Sequence, residues 1–180
     1  MTPAHGRAYG LGVLTHINDG RFSATVDGDF VVFLVGMRIN RPRRVRQWWP
    51  VFTAMPKMLR ELGQHPELGC LSSSLGLMFG GPAVVQQWRS FDHLAAYARA
   101  KDATHLPAWR EFNRRTRDNG VVGIWHETYR VEAGAYETIY GNMPAVGLGK
   151  AGALQPLGST STAARRIGSR PDDVQPVPGY

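Results

Sequence analysis

Phe30 to Asn40 (FVVFLVGMRIN) is apolar on both of its alternating sets of positions, the pattern of a strand covered on both faces. Trp48, Phe52, Met55, Leu59 and Leu62 then recur at steps of four, three, four and three, which places them on one face of a helix ending near Gly63. Pro50 suits the first turn. Pro56 removes a hydrogen bond and crowds the carbonyl four residues back, so a kink or restart is expected there. Leu68 to Phe79 predicts a second strand, weakened by Ser72, Ser73 and Ser74. The turn Gly80-Gly81-Pro82 joins it as a hairpin to a third strand over Ala83 to Arg89. Ser90 is an N-cap with Asp92 in the following turn, and Phe91, Leu94, Ala95, Tyr97 and Ala98 give that second helix its apolar face. Thr104 caps a further helix, His105 to about Thr116, stopped by Asn119-Gly120. Val121 to Val131 is the fourth strand, and after Ala133-Gly134 the run Tyr136 to Tyr140 is a fifth, leading into an irregular Pro/Gly-rich segment through Leu157.

Strand, helix, strand, strand, helix, strand is the order of a ferredoxin-like α+β unit, an antiparallel sheet with helices on one face. Both alternating sets of the first strand are apolar, Val31/Phe33/Val35/Met37 and Val32/Leu34, so the face without helices also needs cover. A second copy bringing its own sheet would supply it, giving a two-sheet barrel across a homodimer interface. The expected organisation is a weakly patterned N-terminal arm over 1–28, the α+β barrel domain over 29–156, and a flexible C-terminal tail over 157–180 rich in Ser, Thr, Ala, Arg and Pro.

Composition narrows the classes. With 180 residues, 43% of them hydrophobic, the chain is about one domain long and can bury a real core. Its longest apolar runs, such as Val31 to Met37, fall far short of the roughly 20 residues that cross a bilayer, so no membrane insertion is expected. The opening residues MTPAHGRAYG lack the layout of a secretory signal, and the single cysteine, Cys70, cannot form an internal disulfide; a cytoplasmic location fits. The net charge of +7 would suit a polyanion, but a 19% charged fraction is ordinary and the tryptophans do not lie between clustered lysines, so no nucleic-acid partner is expected. Motifs for nucleotide binding (G-x-G-x-x-G, P-loop), zinc proteolysis (H-E-x-x-H) and serine hydrolysis (G-x-S-x-G) are absent. His126-Glu127 fails the zinc pattern because Arg130 stands where the second histidine should be.

The segments VVFLVGMRINR, WWPVFTAMPKMLREL, QQWRSFDHLAAYARA, HLPAWREFNRR, GIWHETY and YETIYGNMPAVGLGKAG resemble, in that order, a family first described only as a domain of unknown function and now as monooxygenase-like. Its relatives lie near phenylacetaldoxime dehydratase. The resemblance covers roughly residues 20 to 156 and is most specific in GIWHETY and YETIYGNMP. It implies the dimeric α/β-barrel superfamily, which holds antibiotic-biosynthesis-type monooxygenases, haem-degrading enzymes, chlorite dismutases and haem-dependent aldoxime dehydratases. A fold shared by so many chemistries does not by itself fix the reaction.

His105, in the first turn of its helix, feels the positive end of the dipole, which favours the neutral imidazole that a base or metal ligand needs. It could equally start the helix and pack on Trp109, which with Asn113 shares its face. The resemblance makes it the axial ligand if haem b is bound. His126 shares a strand face with Val122, Ile124 and Thr128; Val121, Trp125, Glu127 and Tyr129 occupy the other. Whichever set faces the cavity supplies either an imidazole base or an aromatic and carboxylate lining, and a structural histidine held by a carbonyl is the alternative. Glu127 needs a partner if buried, and Arg38, Arg89 or Arg130 could be that partner.

Trp88, Trp109, Trp125, Tyr129, Tyr136 and Tyr140 are an inventory suited to a flat apolar ligand or to a core. The cluster Arg38, Arg41, Arg43, Arg44 and Arg46 is a solvated basic turn or a holder of acidic groups. The function expected is a small-molecule oxygenase acting with molecular oxygen on a hydrophobic, polycyclic or terpenoid substrate, without flavin or nicotinamide. His126, His105 and Tyr129 are its candidate catalytic residues; Trp109, Trp125, Trp88, Arg38, Arg89 and Asn113 are candidates for substrate binding. A haem-dependent lyase of aldoxime-dehydratase type and a non-catalytic ligand carrier are the alternatives.

Overall fold

The apolar run after Asp29 is the middle of a four-stranded antiparallel sheet. The computed structural model describes residues 16–100, 120–158 and 162–167, and the elements below are those of the described residues. They are β1 (Asn18–Thr25), β2 (Phe30–Ile39), α1 (Val45–Gln64), a 3-10 turn (Pro66–Leu68), β3 (Cys70–Met78), β4 (Gly81–Trp88), α2 (Phe91–Arg99), β5 (Val122–Val131), β6 (Tyr140–Met143), α3 (Leu148–Ala151), β7 (Ala153–Pro156) and α4 (Ala163–Arg166). The large sheet runs β3-β4-β2-β5. This is the ferredoxin-like order that βαββαβ connectivity requires, and the fold class is α+β.

Register settles which residues share a face. Val31 pairs with Trp88 on one side and Arg130 on the other; Gly36 pairs with Ala83 and Trp125. Odd positions of β2 face the helices: Val31 packs with Trp88, Leu62, Leu94 and Tyr97, and Met37 packs with Val122, Trp48 and Val51. Leu62 and Trp88 are almost fully buried there, each contributing on the order of 2 kcal/mol. Even positions, Val32, Leu34, Gly36 and Arg38, face the opposite, helix-free side, called the open face below.

α1 runs unbroken through Pro50 and Pro56, so the restart expected at Pro56 does not occur. A proline frees the carbonyl four residues before it. Those carbonyls belong to Arg46 and Phe52, both exposed residues, where water can satisfy them. Ser90 caps α2 as expected, its Oγ accepting from the His93 backbone N–H at 3.3 Å.

The second sheet, β6-β1-β7, differs from the expected layout. Residues 18–25, within the segment read as an unpatterned arm, form its central strand, and only Tyr140 of the expected strand Tyr136–Tyr140 belongs to β6. Side chains carry the work in the approach to β6. Thr138 Oγ1 accepts from the Ala24 backbone N–H at 2.7 Å, and Tyr136 Oη accepts from the Val26 backbone N–H at 2.6 Å. Tyr136 also packs edge-on against Phe30, ring centroids 5.2 Å apart. Together with α3, whose Gly147 cap carbonyl accepts from Ser72 Oγ at 3.0 Å, this sheet covers the Phe30 end of the open face. Among the described residues no element covers the other end.

Candidate functional site

Across the bare part of the open face the ladder aligns three rows. Gln87, Val32 and Tyr129 form the first, Val85, Leu34 and Glu127 the second, and Ala83, Gly36 and Trp125 the third. Gly36 is the key position. A Cβ there would lie 2.7 Å from Trp125 Cζ2 and 2.8 Å from its Nε1, so the absence of a side chain is what lets the indole lie flat across β2. Phe79, at the β3–β4 turn, packs edge-on against the indole at 4.7 Å between centroids. Trp125 Nε1 is buried and has no hydrogen-bond partner among the described residues. A buried N–H without an acceptor costs about 1–3 kcal/mol, which a ligand oxygen would recover.

Two residues along the strand, Tyr129 Oη donates to Glu127 Oε2 at 2.5 Å. That hydrogen bond, with the nearby negative charge, pushes the Tyr129 phenol above its usual range, so it acts as a donor to the carboxylate and not as a base. Glu127 has none of the arginine partners expected for it among the described residues. Arg130 lies on the helix side, 5.5 Å over the Phe91 ring, and Arg38 lies beside the Gly80 turn on the open face. The open face thus combines an apolar floor, an indole donor, a carboxylate bonded to a phenol, and a guanidinium at one rim.

Several expected site residues lie elsewhere. His126 is on the helix side, its ring 5.8 Å from Phe33, so it does not share a face with Trp125 and Tyr129. Trp88 belongs to the helix-side core: it has no exposed surface, packs against Tyr97 at 5.5 Å and donates Nε1–H to Gln86 Oε1 at 3.0 Å. A residue sealed there cannot touch a substrate on the open face. Arg89 lines a separate cleft of about 440 Å³ with Asp27, Asp29 and Leu71. It sits at the far end of the sheet from Arg38, about 26 Å away along the strands, so the two cannot hold one small molecule together. Tyr136 and Tyr140 support the second sheet through Val26 and Gly149. His105, Trp109 and Asn113 lie outside the described residues, and with them the axial ligand that a haem would require. Among the described residues no three His, Cys, Asp or Glu side chains gather as a metal site.

A family model described as monooxygenase af470-like matches residues 30–148, the span from β2 to the start of α3. The chain belongs to the monooxygenase af470-like family. The match takes in every open-face group named above, Trp125, Glu127 and Tyr129 included. No curated protein matches this af470-like chain. Among solved structures it is similar to a dimeric ferredoxin-like protein of unknown function from Bacteroides fragilis, 13% identical, TM-score 0.40, over 56% of this chain and 94% of that one. It is also similar to a dimeric ferredoxin-like protein of unknown function from Jannaschia sp., 18% identical, TM-score 0.39, over 54% and 97%.

Sequence reasoning missed Gly36 and Phe79. A lone glycine in a Val/Leu/Met-rich strand marks close approach by something large, so Gly36 carried a readable signal. Phe79, held at positive φ in the turn, carried none.

Proposed function

We propose that this protein is an oxygenase that works as a homodimer, two copies pressing their open faces together so that Val32, Leu34, Val85 and Trp125 of each line a closed apolar chamber. Membership of a monooxygenase-like family supports the reaction class, and the single observation that carries the site is the buried indole N–H of Trp125, unpartnered among the described residues, beside the apolar Val32, Leu34 and Val85 of the open face. Its substrate is a hydrophobic, polycyclic or terpenoid small molecule that carries a methylene made acidic by an adjacent carbonyl. Glu127 takes the proton, Tyr129 fixes the carboxylate's orientation, and the Trp125 N–H and Arg38 hold the oxygen on which negative charge develops.

The substrate anion then gives an electron to molecular oxygen, and the two radicals combine as a peroxide that recovers a proton from Glu127. Loss of water leaves a new carbonyl, so that one methylene and one molecule of dioxygen become one carbonyl and one molecule of water. The substrate supplies every electron, so flavin and nicotinamide are not needed. Trp125 and Glu127, two residues apart on one face, are separated by about 7 Å along the strand, which suits an oxygen and an acidic carbon two bonds apart in one molecule.

Oxygen uptake by the purified protein, with a polycyclic ketone bearing an acidic methylene as probe, tests this. Glu127→Gln lowers turnover by about 100-fold or more, Trp125→Phe raises KM, and His126→Ala stays within a few-fold of wild type. Uptake that survives Glu127→Gln and disappears in His126→Ala would place the chemistry on the helix side instead.

A further inference from the structure

The first half of α1 carries an apolar stripe that faces water. Val45, Trp49 and Phe52, spaced four and three apart, are 49%, 52% and 38% exposed, while Leu62, Trp48 and Val51 hold the helix to the sheet. Trp49 and Phe52 stack on each other at 5.8 Å, and Trp48 meets both edge-on at 5.7 and 6.0 Å. The stripe lies in a basic surround. Residues 41–60 hold six cations, Arg41, Arg43, Arg44, Arg46, Lys57 and Arg60, and no carboxylate; all six are exposed. At 3.6 residues per turn Arg46, Lys57 and Arg60 fall along one flank of the stripe.

Arg41, Arg43 and Arg44 lie in the turn that enters α1. Trp48 Nε1 donates to Pro42 O at 2.9 Å, which pins that turn against the aromatic cluster. The first turn of α1 has no acidic residue, so these cations sit at the positive end of the helix dipole, where they are disfavoured unless an external anion answers them. Among the described residues no carboxylate forms an ion pair with any of them.

We propose that this face adsorbs to an anionic phospholipid surface, with α1 lying in the plane of the headgroups. An exposed Trp/Phe stripe bordered by Arg and Lys on one helix is the chemistry of interfacial adsorption. No helix among the described residues is long and apolar enough to cross a membrane, so the contact is peripheral. A nucleic acid fits less well: it needs open ring faces for bases, and the rings here lie against one another on a convex helix. α1 covers the sheet side opposite the open face, so the patch stays exposed whichever molecule covers the other side.

Flotation of the full-length protein with phosphatidylcholine vesicles, with and without phosphatidylserine, tests the proposal. The protein floats with the anionic vesicles, salt weakens the binding, and lipids brominated near the headgroup quench its tryptophan fluorescence. Arg43→Ala/Arg44→Ala weakens binding about 30-fold and Trp49→Ala/Phe52→Ala about 10-fold, each variant keeping its wild-type circular dichroism. Should a variant lose its fold, phosphatidylserine dependence and quenching in the wild type decide the matter. Absence of binding to the anionic vesicles overturns the proposal. So does binding that ignores Trp49 and Phe52 and is fully displaced by heparin or DNA, which would mark a plain polyanion patch.

Discussion

Gly36→Ala isolates the contact on which the open face depends. The added Cβ would sit 2.7 Å from the Trp125 ring, roughly 1 Å inside normal carbon–carbon contact. Two effects oppose each other. Alanine in a strand interior gains about 0.5–1 kcal/mol over glycine from reduced backbone freedom. Overpacking against a fixed neighbour costs about 1–3 kcal/mol, and if the indole swings away, its pairing with Phe79, worth about 0.5–1.5 kcal/mol, is lost instead. Trp125 is only half-buried and can move, and a swung indole also gives its N–H to water, which recovers about 1–3 kcal/mol, so gains and losses offset and the net change lies within about 1 kcal/mol of zero. For a chain of this size that is a Tm within about 2–4 °C of wild type. The effect on the site is larger, because the displaced indole exposes its N–H to water and reshapes the floor. Thermal unfolding followed by circular dichroism, together with the tryptophan emission maximum, checks this: a small Tm change with a red-shifted emission and lost ligand binding is expected. Unaltered emission and full ligand binding in Gly36→Ala would show that the indole does not lie across β2.

Three further outcomes follow from burial and hydrogen bonding. Trp88→Ala costs about 3–5 kcal/mol and lowers Tm far more than Trp125→Ala, since Trp88 is sealed in the helix-side core and Trp125 is not; equal losses in paired melts would contradict the assignment of the two faces. The Tyr129 phenol, held above its usual range by Glu127, favours the folded state below the pH where a free tyrosine ionises, and that contribution is lost as pH rises through the folded value. In an ultraviolet titration Tyr129→Phe therefore removes a late-ionising tyrosine, and Glu127→Gln moves it earlier. Burial pushes the Cys70 thiol up to about 12, so the native protein resists thiol reagents at neutral pH and reacts at the rate of its unfolding; prompt labelling without unfolding would contradict the buried position.

How far the fold could be read from the chain varies by element for physical reasons. β2, α1, the β3–β4 hairpin and α2 announce themselves because their apolar periodicity or caps are local. β1 does not: Asn18–Thr25 is mostly polar and is fixed by partners more than 100 residues away, such as Asn142 Oδ1, which accepts from the Gly20 backbone N–H at 2.8 Å. Which side of β5 meets the helices was equally hidden, because His126 and Thr128 alternate with Trp125 and Tyr129 without a clean apolar set. Only the pairing of Gly36 with Trp125 and of Met37 with Ile124 assigns the sides. Trp88 looked like a pocket residue for the same reason, since a tryptophan's chemistry does not say which face of a strand it occupies.

Sedimentation equilibrium of the wild-type chain beside Leu34→Asp, whose new carboxylate would stand in the middle of the open face, reads the pairing of the open faces itself. Paired faces give a wild-type mass of twice 19.9 kDa and a folded variant at the monomer mass. A monomeric wild type, or a variant that associates as tightly as its parent, would contradict that pairing.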